Sequence, residues 1–226
     1  YFYYDWTMIL VIPGLLLGLY AQFKVKSTFD RYSRIRTKSG LTAEQAARAL
    51  LSRGGSANVT ISRVNGSLTD HYDPSSKTLR LSDTVYGSDS VAAVGVAAHE
   101  CGHALQEHDG YGLLKLRSAL VPVVNIGSSL YLPIFMAGLL FSWEPLQMVG
   151  ILCFGLTLLF SLVTLPVEIN ASKRALGMLE GVLDAEELQG AKAVLSAAAL
   201  TYLASVISSA LQLLRLILIS RSRNRD

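Results

Sequence analysis

His99 and His103 stand four residues apart in the stretch Ala97-Ala98-His99-Glu100-Cys101-Gly102-His103-Ala104-Leu105-Gln106. On a helix, this spacing projects both imidazoles from one face, where their nitrogens can hold a single Zn²⁺. Glu100 follows the first histidine. It would sit beside the metal without being needed as a ligand, free to take a proton from a water that the metal acidifies. This is the HExxH pattern. The chain has only four histidines in 226 residues, so the pair stands out. The uncharged neighbours Val94, Ala97, Ala98, Cys101, Gly102 and Ala104 suit a helix packed deeply and shielded from water. Cys101 lies at a helical angle away from the histidine face and reads as packing.

The elements that must position this helix are set in a strongly apolar chain. Hydrophobic residues make up 51% and charged residues 16%, against about 25% charged in soluble domains. Thr7 to Phe23, Ala119 to Phe141 and Leu146 to Pro166 carry no charge, and Ser196 to Ile219 carries only Arg215. Each is long enough to cross a bilayer, which takes roughly 17–25 residues. We expect four spans; for the last, a helix tilted along the interface or packed on the inner domain is the alternative. The first reads as an anchor and not as a cleaved signal peptide, because Lys24 and Lys26 follow it and no basic segment precedes it. Residues 24–117 hold 13 of the 20 Lys and Arg and are expected inside. Ser142 to Pro145 is then an external turn, and 167–195 returns to the inside. The terminal Arg221, Arg223 and Arg225 run against this tendency. The expected segments are thus an anchor (1–23), an inner domain (24–117), a hairpin through the bilayer (118–166), a second inner segment (167–195) and an apolar helix with a basic tail (196–226). Two cysteines build no disulfide framework, and a net charge of +3 gives no reason to expect nucleic acid.

Within 24–117 the pattern is mixed α and β. Phe29 to Thr37 reads as an interfacial linker. Thr42 caps a helix to about Arg53, with Gln45 completing a capping box. Val59 to Val64 and Thr78 to Ser82 alternate as strands, and Asn65-Gly66 and Asp73-Pro74 mark turns. Ser88, Asp89 and Ser90 offer caps for the HExxH helix, which runs to about His108.

A catalytic zinc commonly takes three protein ligands and keeps one open position. HExxHxxGxxH is not met, because Gln106 and Asp109 occupy the diagnostic places. His108 falls on another part of the helix. Glu168 is the best candidate. Two crossings separate it from His103, so it returns to the same side of the bilayer. Glu144 lies on the opposite side, and Glu180, Glu186 and Glu187 sit in a polar stretch.

The chain resembles the YugP-type neutral zinc metallopeptidases of bacterial membranes. The resemblance rests on Leu68-Thr69-Asp70-His71-Tyr72-Asp73-Pro74, on Ser90-Val91-Ala92-Ala93 leading into the HExxH helix, and on Leu165-Pro166-Val167-Glu168-Ile169-Asn170-Ala171-Ser172. More distantly it is similar to gluzincins of the HtpX and CAAX prenyl protease type, whose third ligand lies in a Glu-x-x-Ala-Asp pattern. Glu168 and Ala171 match that pattern. Ser172 replaces the Asp, which leaves open whether Asn170 or another residue supports a zinc histidine.

The expected protein is an integral membrane protein, mainly α-helical, with a small α+β zincin-like domain containing a short β-sheet. The resemblance implies an endopeptidase in the bacterial inner membrane, multi-pass, with its site facing the cytoplasm. One catalytic Zn²⁺ would be held by His99, His103 and Glu168, with Glu100 as base. Expected partners are a protein or peptide substrate and the lipid bilayer; a homo-oligomer or a membrane-protein partner is left open. His71, Tyr111 and Arg174 are candidates to stabilise an oxyanion, although His71 reads equally well as fixing the Asp70–Pro74 turn. Zincins commonly pair an extended substrate with an edge strand before the active-site helix, and Thr78, Leu79 and Arg80 occupy that place in the sequence; an ordinary interior strand is the equal alternative. The competing readings are a zinc-binding scaffold without turnover, which would need no Glu100, and a transporter, whose spans would carry ionisable residues.

Overall fold

The computed structural model describes residues 6–223. The ends of the first and last expected segments, including Arg225, lie outside the described residues. After a 3-10 turn at Trp6–Leu10 come α1 (Val11–Tyr32), α2 (Ala43–Arg53), β1 (Thr60–Val64), β2 (His71–Asp73), β3 (Thr78–Ser82), α3 (Val91–His108), α4 (Gly112–Leu140), α5 (Glu144–Leu179) and α6 (Ala185–Arg223). The chain forms two compact units. Among the described residues, one comprises 6–21, 116–166 and 201–223, and the other 22–115 and 167–200.

The first unit is helical and apolar. Four helices are long and apolar enough to cross a membrane: Trp6–Tyr32, Gly112–Leu140, Glu144–Leu179 and Ala185–Ser222. The protein is a helical membrane protein with a small α+β part. Leu15, Leu16, Leu19, Ile126, Leu152 and Leu162 face outward, as side chains in contact with lipid must. Inside this unit Phe135, Ile151, Phe154 and Leu216 form a core. A buried polar group far from water needs partners. Gln147 finds two: its Nε2 donates to Gly138 O at 3.1 Å, and its Oε1 accepts from Ser220 Oγ at 2.6 Å.

The second unit packs helices on a three-stranded sheet ordered β1-β3-β2. β3 pairs in parallel with β1 (Thr60 opposite Thr78) and antiparallel with β2 (His71 opposite Arg80). Leu79 and Leu81 point from β3 into the core, where they are fully buried, each worth about 1.5–3 kcal/mol in removed apolar surface. The expected capping box at Thr42 forms. Thr42 Oγ1 accepts from Gln45 N at 3.3 Å, and Gln45 Oε1 accepts from Thr42 N at 3.1 Å. Ser90 caps α3 by accepting from Ala93 N. The small residues Ala43, Ala46 and Ala47 on α2 meet Ala97, Ala98 and Cys101 on α3 in one buried cluster, so the two backbones approach closely.

Three local expectations are corrected. α1 continues to Tyr32, because Phe29 is buried in the core and repays helical continuation beyond the apolar run. His71 to Asp73 forms a strand, not part of a turn. Thr78–Ser82 is not an edge strand: β1 and β2 occupy both of its sides, so an extended peptide finds no unpaired backbone at Thr78, Leu79 or Arg80.

Candidate metal centre

α3 supplies His99 and His103, and α5 supplies Glu168. Gly102 brings these helices together. A methyl group there would run into the carbonyl oxygen of Ala171 and come within 3.2 Å of its Cα, so only glycine allows this approach. With the backbones in contact, one ligand atom from each of His99, His103 and Glu168 lies within 4.8 Å of the others. Glu168 Oε2 is 3.1 Å from His99 Nε2 and 3.4 Å from His103 Nε2. The two rings stand edge to face at 86°, with centroids 4.8 Å apart. Glu168 is 2% exposed and His103 7%.

The outer nitrogens are anchored. His103 Nδ1 lies 3.0 Å from Gln106 Oε1. The fully buried Gln106 is held the right way round, because its Nε2 donates to Val167 O at 2.8 Å and to Asn170 Oδ1 at 2.9 Å. A backbone carbonyl only accepts, so the amide nitrogen faces it and the amide oxygen is left for His103. His103 Nδ1 therefore carries the proton and Nε2 turns its lone pair inward. His99 Nδ1 lies 3.1 Å from Ser172 Oγ. The residue standing in place of the Asp of the distant pattern thus reaches His99 itself, while Asn170 acts one step further out.

Nε2 of His99 and Nε2 of His103 now face a carboxylate oxygen of Glu168 at 3.1 and 3.4 Å. Such a set closes on a shared proton or on a cation, and a largely buried His₂Glu cluster suits Zn²⁺. Without a metal, burial works against the imidazolium of His103, but the hydrogen bond to Glu168 and the charges of Glu100 and Glu168 outweigh it and raise its pKa. Glu100 is 8% exposed. Its charge is felt by His103 and by Asp70.

Over residues 7–221 the sequence matches the family described as "Putative neutral zinc metallopeptidase". The chain belongs to this zinc metallopeptidase family. It is 45% identical over 212 residues to "Putative membrane protease YugP" of Bacillus subtilis strain 168, covering 93% of this chain and 94% of that protein. No solved structure matches the chain.

The other expected site residues of this metallopeptidase are dispersed. His71 Nδ1 donates to Thr69 O at 2.8 Å, and Arg80 Nη1 lies 3.4 Å from both His71 Nε2 and Asp73 Oδ2. Both side chains are thus engaged with the sheet. Thr78 Oγ1 donates to Ser76 O at 3.1 Å, and Leu79 is core. Tyr111 opens the turn into α4, its N–H bonded to Gln106 O at 2.8 Å. Arg174 Nε donates to Asn170 Oδ1 at 2.9 Å and its Nη1 to Asp109. It extends the Gln106–Asn170 chain outward to Asp109. Cys101 Sγ points to Ala47 O on α2, and burial pushes its thiol pKa up.

Gln106 is the residue that sequence reasoning missed. It entered only as the side chain that breaks the HExxHxxGxxH spacing. Its place three residues after His103, on the same helical face and in an apolar stretch, was the available signal.

Proposed function

We propose that this membrane zinc metallopeptidase is an endopeptidase of the gluzincin type, with one catalytic zinc held by His99, His103 and Glu168. The observation that carries the reading is the convergence of one ligand atom each from His99, His103 and Glu168 within 4.8 Å of one another, with the buried Glu100 near enough for its charge to act on His103. A zinc ion bound there would polarise the scissile carbonyl and acidify water. Glu100 takes a proton from the attacking water and returns it to the leaving amine. Gln106 holds His103 in the tautomer that presents Nε2, and Ser172 hydrogen-bonds Nδ1 of His99 and so fixes the orientation of that ring.

An extended substrate pairs on β2, whose outer side is unpaired within the sheet. β2 also lies against the active-site helix, since the Tyr72 hydroxyl donates to Glu107 on α3 and Asp70, just before β2, feels the charge of Glu100. The segments 24–117 and 167–195 carry the site on the cytoplasmic side of the bacterial inner membrane, as the 13 Lys and Arg of 24–117 favour. Substrates are membrane-associated or unfolded proteins.

The test is hydrolysis of an unfolded casein-like protein by the purified full chain, with zinc content measured in parallel. Activity is expected in the wild type, lost with a chelator, and lost in Glu100→Gln with zinc retained. A fully zinc-loaded wild type that cleaves nothing would favour a scaffold. Activity retained in Glu100→Gln would remove Glu100 as base.

A further inference from the structure

Away from the metal centre, α1 and α6 enclose a groove of about 530 Å³ lined by Lys24, Ser27, Thr28, Arg31 and Tyr32 on α1 and by Ala193, Ser196, Ala197 and Leu200 on α6. The spacing on both helices is i, i+3, i+4, i+7, so each contributes one continuous face. Tyr32 closes one end, packed so near Gly190 that a Cβ there would lie 2.7 Å from its ring.

Three observations say what fits. The groove contains two cations and no acidic side chain. Among the described residues neither Lys24 nor Arg31 forms an ion pair; Arg31 rests over the Tyr32 ring at 5.5 Å from its centroid. The floor, made by Ala193, Ala197 and Leu200, is apolar. And the groove lies where both helices change character: Lys24 is the first charge after the run Thr7 to Phe23, and Ser196 opens the run to Ile219. That is the depth at which a bilayer passes from acyl chain to phosphate. Phe23, 69% exposed beside Lys24, continues the apolar surface.

We propose that this groove is a binding site for the headgroup of an anionic phospholipid of the surrounding bilayer. Lys24 and Arg31 clasp the phosphate, the hydroxyls of Thr28 and Ser196 offer hydrogen bonds to the headgroup, and the acyl chains leave along Phe23 and Leu200. Basic pockets between helices at a membrane surface suit this ligand.

Native mass spectrometry of the full chain in zwitterionic detergent, titrated with phosphatidylglycerol, tests the site. One lipid is expected to bind saturably. Lys24→Ala/Arg31→Ala should weaken it roughly 25-fold, the product of two basic contacts at about fivefold each. Ser196→Phe, which fills the groove and keeps both cations, should weaken it comparably. Arg48→Ala/Arg53→Ala removes the same charge from α2 and should leave affinity within twofold, and Lys24→Arg/Arg31→Lys should retain it. Wild-type affinity in either groove variant would overturn the site. So would an equal loss in the α2 control, equal binding of phosphatidylcholine, or displacement of the lipid by inorganic phosphate at equal concentration.

Discussion

Replacing Gln106 by Met keeps the volume of a fully buried side chain but removes its amide. Three hydrogen bonds go: the one accepted from His103 Nδ1 at 3.0 Å, and those given to Val167 O and Asn170 Oδ1 at 2.8 and 2.9 Å. Asn170 Oδ1 still accepts from Arg174 Nε, so its loss is partial. The group left orphaned is His103 Nδ1–H, and a buried donor without a partner costs about 1–3 kcal/mol. The imidazole escapes that cost by moving its proton to Nε2, which spoils its use as a ligand. Zinc affinity should therefore fall roughly 10–100-fold. At a zinc concentration about 100 times the wild-type Kd, bound metal stabilises the fold by about 2.7 kcal/mol, and a 100-fold loss leaves about 0.4 kcal/mol. The assay is chelator competition for zinc affinity together with thermal unfolding of both proteins, with and without zinc. The variant should gain much less from zinc than the wild type. A folded Gln106→Met protein that binds zinc within twofold of the wild type would refute the orienting role.

Four further outcomes follow from the same geometry. Ser172→Ala removes the partner of His99 Nδ1 and should lower zinc affinity roughly tenfold; a Kd unchanged in chelator competition would show that Ser172 only packs. Glu168→Ala should abolish stoichiometric zinc in metal analysis, whereas Glu100→Gln should keep it and lose about 10²–10⁴ in kcat. Gly102→Ala sets a methyl against the Ala171 backbone and should cost about 1–3 kcal/mol, together with zinc binding, because α3 and α5 must part; a wild-type melting curve and zinc content would contradict the close approach. Asp70 is held above its ordinary 3.8 by burial, against the bonds from Ser82. The folded state therefore binds this proton more tightly than the unfolded one, and the resulting stability is present at low pH and lost as pH rises through the raised value. Asp70→Asn, which keeps a partner for Ser82 N and Oγ, should remove that slope from a pH series of unfolding curves; an identical slope would place the titration elsewhere.

What was legible in the sequence was local. The four-residue spacing of His99 and His103, the charge-free runs, the Thr42 capping box and the Ser90 cap each depend on neighbours within a turn or two, and periodicity and capping chemistry report them directly. Glu168 was reachable because counting membrane crossings is also a sequence operation. The three strands differ. The alternation in Thr78 to Ser82 identifies a strand, but strand order is decided by which partners pack beside it. β2, only three residues long and followed by Pro74, carried no periodicity to read.

The tertiary structure alone decided the rest, because each remaining feature joins residues distant along the chain. Ser172 reaches His99 across 73 positions, and Gln106 reaches Val167 across 61. Both contacts exist because a glycine at position 102 lets two helix backbones touch. A hydrogen bond of this kind depends on angles and tenths of an ångström set by packing, and no spacing rule encodes them. The residue types showed that a metal could be held; the packed helices determined which nitrogen faces it.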